Sequence, residues 1–422
     1  MNGRVAALDE TRGYTLVVRL DRLDPYLKTF TASITGVTRD SEGAWFSLDR
    51  SAFYPTAGGQ QHDTGTFSGH AVTDVKVEDG VVWHLVPEAD GGVLGVGSVV
   101  DCAIDWDRRF RHMQRHTGQH LLSQAFVRVG AARGRDFATR SVSLRGPDCT
   151  LDLAGEPDDE ACAAAAAEAD AAARRAMPVS CFEVEERFLH EYDLRRPSKV
   201  TGSVRLVAIG DYDLAACGGT HVANSAELLP LIVLGSERVK SDLTRVTFRA
   251  GSEAVADAAA KQAVVARLGV ELSAQPADLT AHVARLRADL VQARAQLDSA
   301  HALAASGLAD AALRGASVAG AVRVVSVALR GDEAALLDAL VERFQGLEGV
   351  VALCGSAVDG RASLAFTAGP GTGVDVRPAL KAALESVEGR GGGRPDRAMG
   401  AGQRVAGLEE AMATAARVLG VQ

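Results

Sequence analysis

Two pairs of candidate metal ligands with the same four-residue offset stand out in this sequence. His116 and His120 lie in the segment HTGQH, inside a stretch whose apolar periodicity predicts a helix. Because four residues make about one helical turn, both imidazoles are expected on one face of that helix. Cys217 and His221 repeat the offset in the segment CGGTH, where two glycines free the backbone between them. Three imidazoles and one thiolate together form a donor set that zinc prefers.

Each pair alone is weak evidence for a metal site, and the prediction depends on the presence of both pairs. With ten His and six Cys in the chain, chance alone gives roughly 0.2 His pairs and roughly 0.1 Cys–His pairs at that offset. Taken alone, HTGQH also fits two exposed histidines on an amphipathic helix. It is not the H-E-x-x-H metalloprotease motif, because Thr117 stands where that motif has its glutamate. Four ligands would close a structural site, whereas a catalytic site keeps one position for water or substrate, and both interpretations stay open.

Short runs of alternating or β-branched residues predict that residues 1–105 form a small β-barrel or sandwich. The predicted strands are residues 14–20, 44–48, 81–86 and 99–104. Among them lies the segment SAFYPTAGGQQHDTG, residues 51–65, in which Gly58 and Gly59 permit backbone conformations or close approaches that other residues exclude. On these grounds alone, the segment is a tight loop.

A helix and an α+β domain are predicted to follow. The helix that carries HTGQH begins near Asp105, and Gly130 is its predicted stop. An Ala-rich helix is predicted over residues 158–175. The predicted strands around it are residues 139–144, 149–153, 179–184, 204–209, 231–234 and 245–249. Helices mixed with strands in this order are typical of an α+β domain.

Residues 252–313 are predicted to be helical. Their apolar residues follow a heptad spacing over fewer than three heptads, at Leu279, Val283, Leu286, Leu290, Ala293 and Leu297. We favour an antiparallel helical hairpin, or arm, over a coiled coil. The same seam or the C-terminal domain could mediate a homodimer, although a hairpin would use the same surface.

Residues 319–422 are predicted to form a compact α/β unit. Its predicted strands, residues 322–329, 350–354 and 363–367, alternate with helices over residues 332–345, 376–387 and 405–419. Between the last two helices lies the segment GRGGGRPDRAMGAGQR, residues 389–404, which is expected to be a loop. Its glycines would let backbone amides approach a phosphate or a stacked base.

The composition excludes several classes of protein. The chain of 422 residues is 47% hydrophobic, and no apolar run approaches a membrane helix, which needs roughly 20 residues. The N-terminus lacks the apolar region of a signal peptide, and six cysteines are too few for a disulfide scaffold. These features predict a cytoplasmic protein with no membrane partner. A net charge of −9 excludes indiscriminate coating of nucleic acid but not local basic surfaces.

Several motifs, in this order, resemble the editing region of alanyl-tRNA synthetase and, more closely, the free-standing AlaX-type editing proteins. They are FYPTAGGQQHDTG, HTGQHLL, AACGGTHVANSAEL and LTRVTFRAG. The resemblance covers the whole chain and implies a β-barrel over residues 1–112, an editing domain over 113–250, a helical arm over 251–318 and a DHH-associated-like domain over 319–422. The expected fold class is therefore α+β with a C-terminal α/β domain.

The resemblance implies a zinc-dependent deacylase that acts in trans on tRNA(Ala) mischarged with serine or glycine. One zinc ion per chain would be bound by His116, His120, Cys217 and His221. Zinc could activate a water molecule or position the substrate, and the sequence does not choose between these roles. A class II aminoacylation domain is expected to be absent, because 422 residues that start near the barrel leave no room for one.

The resemblance also places residues around an editing pocket. The Gly-rich loop would flank it through Gly58, Gly59 and Gln60. Hydroxyl groups discriminate between substrates in this family, and the candidates in this chain are Thr117, Thr139 and Ser141. Rejection of alanine would require a hydrogen bond to the serine hydroxyl.

Two arginine-rich stretches are candidate tRNA contacts. Arg108, Arg109, Arg111 and Arg115 precede or enter the ligand helix, where a solvated helix face is the alternative. Arg390, Arg394, Arg397 and Arg404 lie in the Gly-rich C-terminal segment. Two other functions remain open: a tRNA-binding or synthetase-associated module with a purely structural zinc, and a zinc hydrolase for a different aminoacyl or peptide substrate.

Overall fold

The computed structural model describes residues 17–87 and 94–421. The chain divides into two compact units, one ending at Val265 and one beginning at Ala266. The finer division into four domains stays a prediction. Among the described helices, none combines the length and the apolar character that crossing a membrane requires.

Strands β1 to β9 form the first part of the N-terminal unit. They are Val18–Arg19, Thr29–Arg39, Ala44–Leu48, Arg50–Ser51, Gly65–Phe67, His70–Val72, Asp74–Glu78, Val81–Val86 and Val99–Ile104, with the short helix α1 at Leu20–Leu23. Seven of the strands form one sheet in the order β6-β5-β9-β2-β3-β8-β7, which curls into a nearly closed barrel. The strands predicted at 44–48, 81–86 and 99–104 are confirmed. Of the strand predicted at 14–20, residues 14–16 lie outside the described residues, only Val18–Arg19 is a strand, and Leu20 begins α1.

Helix α2, Trp106–Ala132, follows the barrel directly. The side chain of Asp105 caps its N-terminus by accepting a hydrogen bond from the backbone N–H of Arg108, 3.1 Å away. The predicted stop at Gly130 is wrong, because the helix continues past this residue. The glycine instead makes room for the returning chain, since a Cβ there would lie 2.7 Å from the carbonyl oxygen of Arg135.

Two antiparallel sheets complete the N-terminal unit around α2. Strands β10 to β16 are Thr139–Ser143, Cys149–Ala154, Val179–Glu185, Ser203–Ile209, Asp213–Ala216, Leu231–Lys240 and Leu243–Ala250, and helix α3 is Asp159–Arg174. The orders are β10-β11-β16-β15 and β12-β13-β14. The mixture of helices and antiparallel strands confirms the α+β prediction. An apolar core that includes Leu121, Phe126 and Phe248 joins α2, α3 and the first sheet.

The helical region contains two helices, α4 at Ser252–Glu271 and α5 at Leu279–Arg314. A single 3-10 turn at Pro276–Asp278 precedes α5, because proline suits the first position of a helical turn. The heptad residues Val283, Leu286 and Leu290 are exposed along α5. The hairpin and the homodimer stay predictions.

The C-terminal unit is built on a mixed sheet of six strands. Strands β17 to β22 are Ser317–Ala319, Val322–Arg330, Val350–Val358, Arg361–Ala368, Gly389–Arg394 and Arg397–Gly402. Helices α6 to α8 are Leu337–Gln345, Arg377–Ser386 and Leu408–Val418. Within the order β17-β18-β19-β20-β22-β21, only β18 and β19 are parallel, so the α/β prediction is right in its helices and too simple in its sheet.

The loop predicted at residues 389–404 is instead the hairpin of β21 and β22. Close packing explains most of its glycines. A Cβ at Gly389 would lie 2.7 Å from the carbonyl oxygen of Ala401, and one at Gly400 would lie 2.7 Å from the side chain of Leu384. The glycines therefore let this hairpin lie directly against α7.

Candidate functional site

The four predicted metal ligands come together between α2 and the chain that leaves β14. His116 and His120 project from α2, while Cys217 follows β14 directly and His221 lies one residue beyond Thr220. Their ligand atoms all lie within 4.8 Å of one another. The three histidines are buried and Cys217 is half-buried, so the cluster could hold a metal ion.

The spacing of the donor atoms suits a tetrahedral ion. The Sγ atom of Cys217 lies 3.3 Å from Nε2 of His116 and 3.4 Å from Nε2 of His221. Zinc with a thiolate at about 2.3 Å and an imidazole at about 2.0 Å would separate the two donors by about 3.5 Å. These two distances therefore match a tetrahedral ion, and no two of the four ligand atoms lie more than 4.8 Å apart.

Hydrogen bonds at the other ring nitrogen orient all three imidazoles. Each Nδ1 has a buried partner: Oε1 of Gln60 for His116 at 2.8 Å, Oδ2 of Asp213 for His120 at 2.9 Å, and Oγ1 of Thr117 for His221 at 3.1 Å. Carboxylate and amide oxygens only accept hydrogen bonds, so a hydrogen on Nδ1 leaves the Nε2 lone pair for the metal. This outer arrangement is typical of histidines that bind metals.

The amide of Gln60 is itself held in one orientation. Its Nε2 donates to Oγ1 of Thr220 over 2.8 Å, and the backbone N–H of Thr220 donates to its Oε1 over 3.2 Å. Gln60 thus joins the Gly-rich segment of the barrel to the loop that carries His221. These residues are far apart in the sequence, and both contribute to the candidate metal site.

The charges in the cluster favour a thiolate. Burial alone would raise the pKa of the Cys217 thiol, but the positive charges of His116 and His221 and hydrogen bonds from His116 and His120 outweigh burial and hold that pKa well below its usual range. Burial and the neighbouring charge of His116 lower the pKa of His221 to about 3. Burial would lower the pKa of His120, but its hydrogen bonds to Asp213 and Cys217 outweigh burial and raise that pKa. Metal binding requires a thiolate and neutral imidazoles, so a bound ion would displace any proton that His120 holds at Nε2.

A cavity of about 230 Å³ opens beside the cluster. Its walls come from the Gly-rich segment, α2, β10 and the chain on either side of β14. They include Tyr54, Gly58, His116, Gln119, His120, Thr139, Val142, Arg195, Arg196, Ala216 and Cys217. Because His116, His120 and Cys217 line it directly, a small molecule in the cavity would lie next to a bound metal.

The chain is similar in sequence to alanyl-tRNA synthetases and a related editing protein. Residues 204–247 match the family model described as the threonyl and alanyl tRNA synthetase second additional domain. The chain is 30% identical over 247 residues to the alanyl-tRNA editing protein AlaX-L of Pyrococcus horikoshii. It is 29% identical over 409 residues, 93% of its own length, to the alanine–tRNA ligase of Ignicoccus hospitalis. The chain is therefore similar in sequence to alanyl-tRNA synthetases and to a free-standing alanyl-tRNA editing protein.

The matches cover only part of these relatives. The chain spans 59% of AlaX-L, over 57% of its own length, and 42% of the Ignicoccus ligase. Among solved structures, the C-Ala domain of Aquifex aeolicus alanyl-tRNA synthetase overlies 25% of the chain with 19% identity and a TM-score of 0.23.

Some of the predicted pocket residues line the cavity and others do not. Gly58 lines it with a φ of +57°, a conformation that favours glycine, whereas Gln60 and Thr117 hold the metal ligands from outside. Thr139 lines the cavity. Ser141 does not, because its hydroxyl donates to Asp152 over 2.6 Å.

Gly59 lies beside the same strand. A Cβ at this position would lie 3.1 Å from the carbonyl oxygen of Val142, and its φ of +89° is one that side chains rarely adopt. Its carbonyl oxygen accepts a hydrogen bond from the backbone N–H of Leu144 over 3.2 Å. Gly59 therefore fixes the Gly-rich segment against β10.

Gln119 and Ser123 are polar residues at the site that the sequence did not single out. The hydroxyl of Thr139 donates to Oγ of Ser123 over 2.7 Å, and Nε2 of Gln119 donates to the same atom over 2.8 Å. Helical spacing could have indicated both residues, because Gln119 and Ser123 follow His116 by three and seven positions and therefore lie on the same face of α2. Both side chains are buried.

Two of the arginines predicted to contact tRNA are buried in ion pairs. Arg109 has a side chain with 0% exposure and is paired with Asp63, also at 0%. Arg115 donates through Nε to Glu253 over 2.6 Å and is 7% exposed. Their assignment as phosphate contacts is therefore wrong, since each guanidinium is committed inside the N-terminal unit.

The remaining arginines stay predictions. Arg108 donates through Nε to the carbonyl oxygen of His62 over 3.0 Å, and Arg111 lies 4.0 Å from Glu253 with 39% of its side chain exposed. Of the second group, Arg397 is half-buried and bonded to Gln345, and the others, Arg390, Arg394 and Arg404, are exposed.

Proposed function

We propose that the protein is a zinc-dependent deacylase that hydrolyses the ester of serine, and more weakly of glycine, on mischarged tRNA(Ala). It would act in trans in the cytoplasm with one zinc ion per chain. One observation carries the proposal: three imidazoles and a thiolate converge beside a cavity that three of them line. The similarity to an alanyl-tRNA editing protein supports the choice of substrate.

The metal, the residues that orient its ligands and the walls of the cavity have separate roles in the proposed reaction. Bound zinc would act as a Lewis acid on the ester carbonyl or lower the pKa of a water molecule. Gln60, Asp213 and Thr117 hold the three imidazoles in one orientation, so little reorganisation is needed as the reaction proceeds. The cavity walls limit the water around the ester, which strengthens electrostatic interactions inside it.

Thr139 supplies the preference for serine in this proposal. Its hydroxyl hydrogen is committed to Ser123, so its oxygen is left to accept a hydrogen bond from the hydroxyl of a serine substrate. An alanyl ester would bury that oxygen without a partner, which costs about 1–3 kcal/mol. A glycyl ester would fit by size but make no such bond.

A second candidate function is a tRNA-binding module whose zinc is purely structural. The observation that favours it is the presence of four protein donors, because structural zinc sites are closed by four ligands. This candidate predicts bound zinc and affinity for tRNA without turnover.

The decisive experiment measures amino acid release from seryl-, glycyl- and alanyl-tRNA(Ala), together with the zinc content of the same protein sample. We expect fastest release of serine, slow release of glycine and almost none of alanine. Cys217→Ser should lose both zinc and activity, while Cys181→Ser, at an exposed cysteine outside the centre, should retain them. Zinc binding without hydrolysis of any ester would favour the structural module. Full activity of zinc-free Cys217→Ser would exclude a role for the metal.

A further inference from the structure

Two consecutive arginines, Arg195 and Arg196, lie in the wall of the metal cavity. They belong to neither of the arginine-rich stretches that the sequence suggested. They lie in the segment between β12 and β13, after a 3-10 turn at Glu186–Glu191. Their position beside the metal ligands, rather than their number, makes them candidates for substrate contact.

Arg195 is an anchored residue. Its side chain is 10% exposed, and Nη1 donates to the backbone carbonyl oxygen of His120 over 2.8 Å. The same nitrogen lies 3.5 Å from Oδ1 of Asp213. Its backbone N–H donates to the carbonyl oxygen of Leu214 over 2.9 Å, which ties the segment to β14. Arg195 therefore fixes the chain next to the metal centre and has a carboxylate nearby to balance its charge.

Arg196 differs from Arg195 in its exposure and in its lack of a partner. It is exposed, and no described residue gives it a hydrogen bond or an ion pair. The anchored Arg195 precedes it, and Pro197 follows it and restricts its backbone to extended conformations. The chain on both sides thus holds an uncompensated guanidinium at the cavity with little backbone freedom to lose on binding.

The charge of the cavity makes an anionic ligand the natural partner. No aspartate or glutamate is among the described residues that line it, while both arginines are. A bound divalent ion would add to this positive charge. A guanidinium next to such a site recognises phosphate well, because its planar donors match two phosphate oxygens.

We propose that Arg196 binds the phosphodiester of the terminal nucleotide of an RNA 3′ end whose aminoacyl ester enters the metal cavity. The inference rests on the proposed deacylase function. The ester is carried by the terminal ribose, so the nearest negative charge of the substrate is the phosphodiester on that nucleotide. Arg196 is then a substrate-binding residue that holds the strand while the ester lies at the metal, and it acts on binding rather than on the chemical step.

Two small substrates separate this contact from the rest of the tRNA. Seryl-adenosine has no phosphodiester, whereas the seryl ester of a dinucleotide ending in adenosine has one. Arg196→Gln should raise the KM for the dinucleotide ester roughly tenfold, with kcat nearly unchanged. It should leave both constants for seryl-adenosine unchanged. Arg196→Lys should fall between these results, since it keeps the charge but loses the bidentate geometry.

A matched control is Arg187→Gln. Arg187 is exposed in the same inter-strand segment, pairs with Glu185 and does not line the cavity, so this change should alter neither KM. With seryl-tRNA(Ala), Arg196→Gln should also reduce the slope of log KM against log salt concentration by roughly 0.7, the value for one phosphate contact to a single strand.

A binding measurement keeps this inference distinct from the proposed function. Non-hydrolysable 3′-amide analogues of the two small substrates report affinity even if the protein hydrolyses no ester. A roughly tenfold loss of affinity in Arg196→Gln for the dinucleotide analogue alone would support the contact. Equal effects on both analogues, or no effect on either, would overturn it. Failure of the wild-type protein to hydrolyse seryl-tRNA(Ala) would instead count against the deacylase.

Discussion

The carboxylate of Asp213 lies 2.9 Å from Nδ1 of His120 and so determines which nitrogen of that ring faces the metal centre. Asp213 is buried at the start of β14, four residues before Cys217. Strand β14 thus supplies the partner that orients one candidate ligand, and the residue directly after the strand is another candidate ligand. The negative charge of the carboxylate also makes the ring a stronger donor to a metal.

Replacement of that carboxylate by an amide should weaken metal binding while keeping the shape of the site. We expect Asp213→Asn to lower zinc affinity by roughly ten- to a hundredfold, because the ring loses its charged partner. Competition with a chromogenic chelator measures this change. Asp211→Asn is the control, since Asp211 is exposed and paired with Arg175. Equal affinities of the two variants would contradict the role of Asp213.

Adjacent glycines provide a second test of the metal centre. A Cβ at Gly219 would collide with the ring of His116 and lie 2.9 Å from Oε1 of Gln60, whereas a Cβ at Gly218 would meet nothing within 4 Å. Gly219→Ala should therefore displace His116 and leave the protein with little zinc after dialysis. Gly218→Ala should retain a full complement. Metal-to-protein ratios distinguish the variants, and equal ratios would show that His116 can move without cost.

The sequence predicted the cluster of four candidate ligands, and the resemblance placed Gln60 and Thr117 beside the pocket, but neither predicted that Gln60, Thr117 and Asp213 would orient the imidazoles. The four-residue offset is a local feature of the sequence. In α2 it places His116 and His120 on one face of the helix, and after β14 the two intervening glycines let Cys217 and His221 approach each other. Gln60 and Asp213 contribute only after the barrel and β14 have packed against α2. No spacing rule connects such residues, because tertiary packing alone sets their distance.

For the arginines of α2, the sequence predicted contacts that the structure does not allow. Clustered arginines on a helix suggested a surface for phosphate, yet Arg109 and Arg115 have carboxylate partners from distant parts of the chain, Asp63 and Glu253. Likewise, β21 and β22 escaped prediction because glycine has a low strand propensity. Contacts with Ala401 and Leu384 explain Gly389 and Gly400.

The buried pair of Arg109 and Asp63 should matter for stability. Arg109→Ala would leave a carboxylate buried without its partner, which should lower the free energy of unfolding by about 3–5 kcal/mol. Arg140→Ala breaks an exposed pair with Asp136, with side chains 59% and 65% exposed, and should cost less than about 1 kcal/mol. Urea unfolding of both variants measures the difference. Similar losses in the two would argue against a special contribution from the buried pair.

A buried histidine in the barrel should make stability depend on pH. His84 has 0% exposure, and its ring nitrogens are bonded to the carbonyl oxygen of Phe46 at 2.9 Å and to the hydroxyl of Ser51 at 2.7 Å. Burial lowers its pKa from 6.5 to about 4. Between these values the unfolded chain binds the proton and the folded chain does not. Stability from this residue is therefore present above pH 6.5 and is lost as the pH falls toward 4.

The expected loss across that window is about 3 kcal/mol, since each unit of pKa difference corresponds to about 1.4 kcal/mol. Urea unfolding at several pH values should show a steeper fall for the wild-type protein than for His84→Gln, which has no group to protonate there. His190→Gln, at an exposed histidine, should keep the wild-type profile. If His84→Gln and the wild-type protein lose stability in parallel between pH 6.5 and 4, another buried group must bind the proton.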